Sequence, residues 1–136
     1  MGPEKCLSRH LLPNGLILEF WDLSRPTAGD RWQVVVEARM AVPVIPGNLP
    51  PELQDKAEEV NNFLGSEITF AKQEIRHFVA AGEVPDLLQR IESELFTSIQ
   101  VYLGHAEFAA RFIRKKYREF CELQSWLQHV PAPEAD

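Results

Sequence analysis

Residues 32–44 carry the pattern that most restricts the fold of this chain. One set of alternate positions holds Trp32, Val34, Val36, Ala38, Met40, Val42 and Val44. Because successive side chains of a strand point to opposite faces of its sheet, an unbroken period of two over this length predicts a strand with one buried face. Half-buried strands are typical of antiparallel sheets, so the pattern predicts an antiparallel sheet and indicates no reaction.

Two more strands are predicted before this one, over residues 7–12 and 16–23. They flank Asn14-Gly15, and Asn-Gly between apolar runs is a strong hairpin signal because both residues tolerate a positive φ. A two-residue turn at this position pairs His10 with Glu19. A loop with the sequence SRPTAGD then leads into the third strand.

The pairing of the three strands predicts which side chains share a face. If the second loop is near-symmetric, Phe20 pairs with Val34 and Leu18 pairs with Val36. One face then collects Leu7, Leu11, Leu16, Leu18, Phe20, Val34, Val36 and Ala38. The opposite face collects His10, Ile17, Glu19, Trp21, Gln33, Val35, Glu37 and Arg39. The first set is apolar on all three strands, and a slip of one residue would turn each apolar side chain to the wrong face.

The rest of the chain is predicted to be largely helical. Pro51 suits the first turn of a helix over residues 51–64. Apolar residues recur at three- and four-residue steps over residues 85–103 and 106–127, which predicts two helices, and the short break between them favours an antiparallel pair. Residues 67–79 fit either a helix or a fourth strand, and their ITF and HFV ends favour the strand.

Together these elements predict an α+β fold. It consists of an antiparallel β-meander of three strands, with a candidate fourth, and of a short helix and a C-terminal antiparallel helix pair packed on the sheet. A chain of 136 residues suits one domain with its own core, so residues 1–130 are expected to form a single domain. Residues 131–136 are expected to be a disordered tail.

Composition argues against several classes of function and points to a cytoplasmic protein. A net charge of -6 argues against a protein whose main task is to bind DNA or RNA. Residues 1–20 lack the continuous apolar run of a signal peptide, and no run approaches the roughly 20 residues that span a bilayer, so no membrane partner is expected. Cys6 and Cys121 have no CxxC partner, so two reduced thiols are expected and a disulfide is the alternative. Neither a metal nor another cofactor is predicted.

Four charged residues around the 24–30 loop, Asp22, Arg25, Asp30 and Arg31, form one candidate ligand site. Their side chains could orient a small ligand at the edge of the sheet. The alternative is turn chemistry, in which Asp and Ser bond to nearby backbone and Arg pairs with Asp at the surface.

His10 beside Glu19 is a candidate general base, because a neighbouring carboxylate tunes the basicity of an imidazole. A cross-strand pair that stabilises the sheet is the competing interpretation. The sequence places no nucleophile beside them, and it contains no GxGxxG, Walker, GxSxG or HExxH motif. No catalytic residue is therefore predicted.

Four basic residues, Arg111, Arg114, Lys115 and Arg118, gather on one face of the last predicted helix. Such a face can bind phosphate, nucleic acid or an acidic protein. The alternative is a solvated face whose charges pair with glutamates on the same helix. One basic helix face in an acidic chain is a weak signal for nucleic-acid binding.

Ile17, Trp21 and Val35 form an apolar patch among the charges of the mixed sheet face. Aromatic residues on such a surface are enriched where partners dock, although a helix of the same chain could cover the patch instead. The sequence therefore predicts a small non-catalytic protein-interaction or regulatory module, whose partner is another protein or a second copy of the chain. A ligand-binding protein or enzyme that uses the 24–30 loop, and a weak nucleic-acid binder, are the alternatives.

Overall fold

The computed structural model describes residues 4–129. Within them, the strands are β1 (Lys5–Leu11), β2 (Ile17–Asp22), β3 (Arg25–Pro26), β4 (Arg31–Pro43) and β5 (Glu67–Ala80). The α-helices are α1 (Ala57–Leu64), α2 (Val84–Leu103) and α3 (Phe108–His129), with short 3-10 helices at Pro46–Asn48, Pro51–Lys56 and Ala81–Glu83. None of these described helices is long and apolar enough to cross a membrane. The predicted disordered tail, residues 131–136, lies outside the described residues.

The described chain divides into two compact units. Residues 4–42 and 69–108 form the first unit, which contains most of the sheet and α2. Residues 43–68 and 109–129 form the second unit, which contains α1 and nearly all of α3. The single domain expected over residues 1–130 stays a prediction.

The sheet is antiparallel, and the predicted α+β class is confirmed. β2 lies between β1 and β4, while β3 and β5 also pair with β4. The predicted meander is therefore present, with β3 as an additional two-residue strand. Residues 67–79 belong to a strand, β5, so the alternative helix over this segment is wrong.

The first hairpin turns over three residues rather than two. A hydrogen bond from the Leu12 amide to the Leu16 carbonyl closes the turn (2.8 Å), and Gly15 adopts a φ of 85°. A three-residue loop that ends in a left-handed residue is a common hairpin form, in which glycine carries no steric penalty. The turn therefore holds one more residue than the Asn-Gly signal predicts.

This extra turn residue changes the partners along β1. His10 lies opposite Leu18, and Glu19 lies opposite Arg9, so the predicted pairing of His10 with Glu19 is wrong. Leu11, predicted on the apolar face, is 76% exposed. A slip of one residue moves a side chain to the other face of the sheet, which is why Leu11 and His10 both lie opposite to their predicted sides.

The turn that leads into β4 lies further along the chain than predicted. The Thr27 amide bonds to the Arg31 carbonyl (2.8 Å), and Phe20 pairs with Ala38 rather than with Val34. This shift covers an even number of residues, so the side chains of β2 and β4 keep their predicted faces. The fully buried residues of these strands are Leu18, Phe20, Val34, Val36, Ala38, Met40 and Val42.

α2 packs against one face of the sheet, which we call the inner face. Its Phe96 ring contacts the rings of His10 (centroids 4.5 Å apart) and Phe20 (6.2 Å). The buried residues of α2 recur at four-residue steps and are Ile91, Leu95, Ile99 and Leu103. The Asn14 side chain donates to the Leu103 carbonyl (2.7 Å), so the first hairpin turn satisfies a backbone group at the end of α2.

In the second unit, the helix predicted over residues 51–64 begins as a 3-10 helix and continues as α1. Leu53 and Val60 supply its buried residues. Phe63 stacks on Phe120 of α3, with ring centroids 4.8 Å apart. This ring contact packs α1 against α3.

Candidate interaction site

The face of the sheet opposite α2, which we call the outer face, carries the predicted apolar patch. Ile17, Trp21 and Val35 point to this face, as the alternation along β2 and β4 requires. Ile17 is 44% exposed and Trp21 is half-buried, whereas Val35 is buried. Glu19 lies between Ile17 and Trp21 along β2, so a charged position divides the patch.

Two contacts hold Trp21 in place on the outer face. The guanidinium carbon of Arg39 lies 4.8 Å from the ring centroid, within the range of a cation–π interaction. The indole N–H donates to the Glu19 carboxylate (3.3 Å). Pairing of Glu19 with Arg39 across β2 and β4 places both groups beside the ring. These two contacts restrict the orientation of the Trp21 ring.

Ion pairs involve both residues that contact the indole ring, Glu19 and Arg39. Arg9 on β1 pairs with Glu19 on β2 (2.9 Å). Arg39 on β4 pairs with Glu37 and with Glu4 (3.3 Å to Glu4). Each of these charged groups therefore contacts an oppositely charged group of the same chain, with Arg39 shared by two carboxylates.

Glu37 and Arg39 hold each other in the charged form. Burial alone would raise the pKa of the Glu37 carboxyl, but hydrogen bonds from Arg39 and Gln73, with the Arg39 charge, outweigh it and hold the pKa below its usual value. The hydrogen bond to Glu37 raises the pKa of the Arg39 guanidinium. A carboxyl whose pKa is lowered on folding stabilises the fold at neutral pH, and this stabilisation is lost as the pH falls through the lowered pKa.

Sequence patterns do not single out Glu4 and Gln73 as members of this network. The Gln73 side chain on β5 donates to Glu37, and Glu4 precedes β1. Alternation along β5 places Gln73 on the outer face once the pairing of β5 with β4 is known. No short turn links these two strands, so the sequence alone gives no register between them.

His10, the candidate general base, lies on the inner face beside α2. Its Nε2 is 3.0 Å from the Ser8 hydroxyl, and that hydroxyl donates to Glu92 of α2. A hydroxyl has one proton to donate, so Ser8 accepts a hydrogen bond from His10. The imidazole donates in this arrangement, which is the reverse of what a base acting on Ser8 requires. These hydrogen bonds link β1 to α2.

The charged residues around the 24–30 loop bond locally. The Asp22 carboxylate accepts a hydrogen bond from the amide two residues further on (2.9 Å), and Arg25 donates to a glutamine side chain on β4 (2.9 Å). Asp30 and Arg31 form a surface ion pair at 3.9 Å. These contacts are those of a turn and a hairpin, and each of the four side chains takes part in one of them.

The four basic residues predicted on α3 are exposed, but they do not form one uniform basic surface. Arg114 pairs with Glu52, which precedes α1. Lys115 and Arg118 form no ion pair within residues 4–129. A guanidinium already bound to a carboxylate is less available to a phosphate, so Arg114 adds less to an anion-binding face than the spacing indicates. Arg111 is the fourth of these exposed basic residues.

Tyr117 lies beside these basic residues on α3. Burial, followed by the hydrogen bond and charge of Cys121 and by Glu59, raises the pKa of Tyr117 to about 12. Its hydroxyl therefore stays neutral at physiological pH and adds no charge to the basic face. Cys6 and Cys121 are both free thiols.

Neither a metal-ligand cluster among the described residues nor a known relative indicates a function for this chain. Within residues 4–129, no group of three or more His, Cys, Asp or Glu side chains is arranged to hold a metal ion. No protein-family model, curated protein or solved structure matches the chain.

Proposed function

We propose that this chain is a non-catalytic protein-interaction module whose outer face binds a protein partner. The observation that carries the proposal is Trp21, a half-buried tryptophan held in place by Arg39 and Glu19. Trp and Arg are among the residues that most often dominate the binding energy of protein interfaces. A cytoplasmic location, inferred from composition, is part of the proposal.

Exposed aliphatic side chains extend the contact surface beyond Trp21. Leu11 on β1 lies directly opposite Ile17 on β2, and both are exposed. An aromatic and aliphatic surface bordered by ion pairs has the composition of an interface with an apolar centre and a polar rim. The partner that fits is a protein with an apolar patch of its own, bordered by polar groups.

Substitutions on the outer face test this proposal by capture of partners from native lysate. Truncating a residue that dominates an interface costs at least about 2 kcal/mol, or roughly 30-fold in affinity. We therefore expect proteins retained by the immobilised wild type to be lost from Trp21→Ala and from Ile17→Arg. Quantitative mass spectrometry of the retained proteins measures the loss.

Val101→Arg is the matched control, because Val101 is an exposed apolar residue on α2 (77% exposed) rather than on the outer face. It should retain the same proteins as the wild type. Equal thermal unfolding profiles show that the variants remain folded. Retention of an unchanged set of proteins by both outer-face variants would contradict the proposal.

A further inference from the structure

β5 is the longest strand of the described sheet, and it lies at an edge. It has 14 residues and, within residues 4–129, it pairs with β4 alone. Edge strands expose unpaired backbone N–H and C=O groups, and natural proteins usually keep such edges short or cover them. An edge of this length can accept another strand through its backbone.

Contacts with β4 show which backbone groups of β5 point away from that strand. The Val44 amide donates to the carbonyl of Ser66, immediately before β5 (2.9 Å). Hydrogen-bonding direction alternates along a strand, so the backbone groups of even-numbered residues face β4. Those of odd-numbered residues from Thr69 to His77 face the other side, which we call the open edge of β5. This edge is where a further strand would add.

Two charged residues of β5, Lys72 and Glu74, flank Gln73 symmetrically and have opposite signs. Lys72 precedes Gln73, and Glu74 follows it. When two copies of the strand lie antiparallel with Gln73 opposite Gln73, Lys72 of each copy faces Glu74 of the partner subunit. Centring the pair on Lys72 or on Glu74 instead places like charges opposite each other, which destabilises a sheet. The charge pattern therefore favours the register centred on Gln73 over these two alternatives.

Both charged side chains are accessible for this pairing. Lys72 is exposed and forms no ion pair within the described part of the chain. The Glu74 side chain is 37% exposed and pairs with Arg76 (3.3 Å), and a carboxylate has lone pairs for a second cation. In the register centred on Gln73, Lys72 and Glu74 occupy positions without hydrogen bonds to the added strand, where opposing side chains approach most closely.

We propose that the open edge of β5 pairs with the same edge of a second copy of this chain, antiparallel and centred on Gln73. A two-fold axis at Gln73 makes the interface closed and self-complementary, the commonest form of homodimer. The pairing uses backbone groups of β5 and the charges of Lys72 and Glu74. It is therefore independent of the proposed binding of a partner through the outer face.

Charge reversal tests the pairing and its register, with molar mass measured by light scattering after size exclusion. The wild type is expected at twice the chain mass of 15.5 kDa. Lys72→Glu and Glu74→Lys each place like charges opposite each other twice across the two-fold axis, so each is expected to raise the dissociation constant about tenfold or more. The double exchange restores both pairs with their signs reversed, and the dimer is expected to return.

Two further variants separate this pairing from general effects of charge and of folding. Lys115→Glu makes the same change in net charge as Lys72→Glu, but at an exposed position of α3, and should remain dimeric. Ala71→Pro removes an amide that faces the open edge, and proline is tolerated on the solvent side of an edge strand, so it should give a folded monomer. Far-UV circular dichroism shows whether each variant is folded.

Several outcomes would overturn the proposal. A wild type that is monomeric at its highest soluble concentration excludes the dimer. This register is excluded if the dimer persists in both Lys72→Glu and Glu74→Lys. It is also excluded if the double exchange fails to restore the dimer, or if Ala71→Pro is dimeric. Trp21→Ala should leave the dimer intact, so the failure of the dimer and the failure of the proposed function can be told apart.

Discussion

Replacing Phe20 with alanine is expected to lower the free energy of unfolding by about 3–5 kcal/mol. Phe20 is fully buried on β2, and its ring makes edge contacts with His10 (centroids 5.8 Å apart) and with Phe96 of α2 (6.2 Å). Removing the ring leaves a cavity between the sheet and α2, and a rigid sheet can collapse into such a cavity only in part. Urea unfolding followed by circular dichroism measures the change.

Phe78→Ala is the matched control for this prediction. Phe78 is 81% exposed on β5 and adopts a positive φ of 57°, which alanine tolerates at least as well as phenylalanine. Its substitution should change the free energy of unfolding by less than about 0.5 kcal/mol. Phe20→Leu keeps most of the buried volume. If Phe20→Ala does not fold, this variant should give a smaller loss in the free energy of unfolding that can still be measured. Equal effects of alanine at both positions would contradict the packing of α2 on the inner face.

Replacing Gly104 with alanine is expected to cost about 1–3 kcal/mol of stability, because the site has no room for a side chain. A Cβ atom there would lie 2.9 Å from Cδ of Pro13 and 3.0 Å from the carbonyl oxygen of Gln100. Neither neighbour can move away easily. The Gln100 oxygen belongs to the α2 backbone, and Asn14, next to Pro13, is bonded to the end of α2.

Gly82→Ala is the corresponding control. No atom lies within 4 Å of a Cβ built at Gly82, and its φ is not positive. We expect a change of no more than about 0.5 kcal/mol there. Thermal unfolding of the two alanine variants side by side gives the comparison. If Gly104→Ala were as stable as Gly82→Ala, the close approach of the first hairpin turn to α2 would be wrong.

The buried face of the sheet could be predicted from the sequence without the exact register. It depends only on parity, that is, on whether a residue occupies an odd or an even position along its strand. The predicted pairing of Phe20 with Val34 is wrong by four residues, yet both side chains lie on the inner face as expected. An even shift preserves the face of every residue, and the alternation over residues 32–44 fixes that face by itself.

The errors at His10 and Leu11 of β1 arise from a single turn. Asn-Gly is compatible with both a two-residue and a three-residue loop, and the choice between them moves β1 by an odd number of residues. For this reason the Asn-Gly signal wrongly places His10 beside Glu19, whereas His10 contacts Ser8 and Phe96. A shift by an odd number of residues turns every side chain to the face opposite the predicted one.

The contacts that define the surfaces were harder to predict, because they join residues far apart in sequence. Glu52 pairs with Arg114, although local patterns place these two residues in unrelated helices. Gln73 reaches Glu37 only because β5 pairs with β4, and residues 67–79 were ambiguous between helix and strand. Local periodicity carries no information on such pairings, which depend on how the strands assemble.

Hydroxyl-radical footprinting, with and without the proteins captured from lysate, tests the proposed function most directly. Mass spectrometry of the modified side chains compares the outer face with every other surface in one sample. We predict that Ile17 and Trp21 are protected when the captured partner is bound, while Val101 on α2 reacts as before. Protection of the 24–30 loop, or of the basic residues of α3, with Trp21 unchanged would contradict the assignment of binding to the outer face.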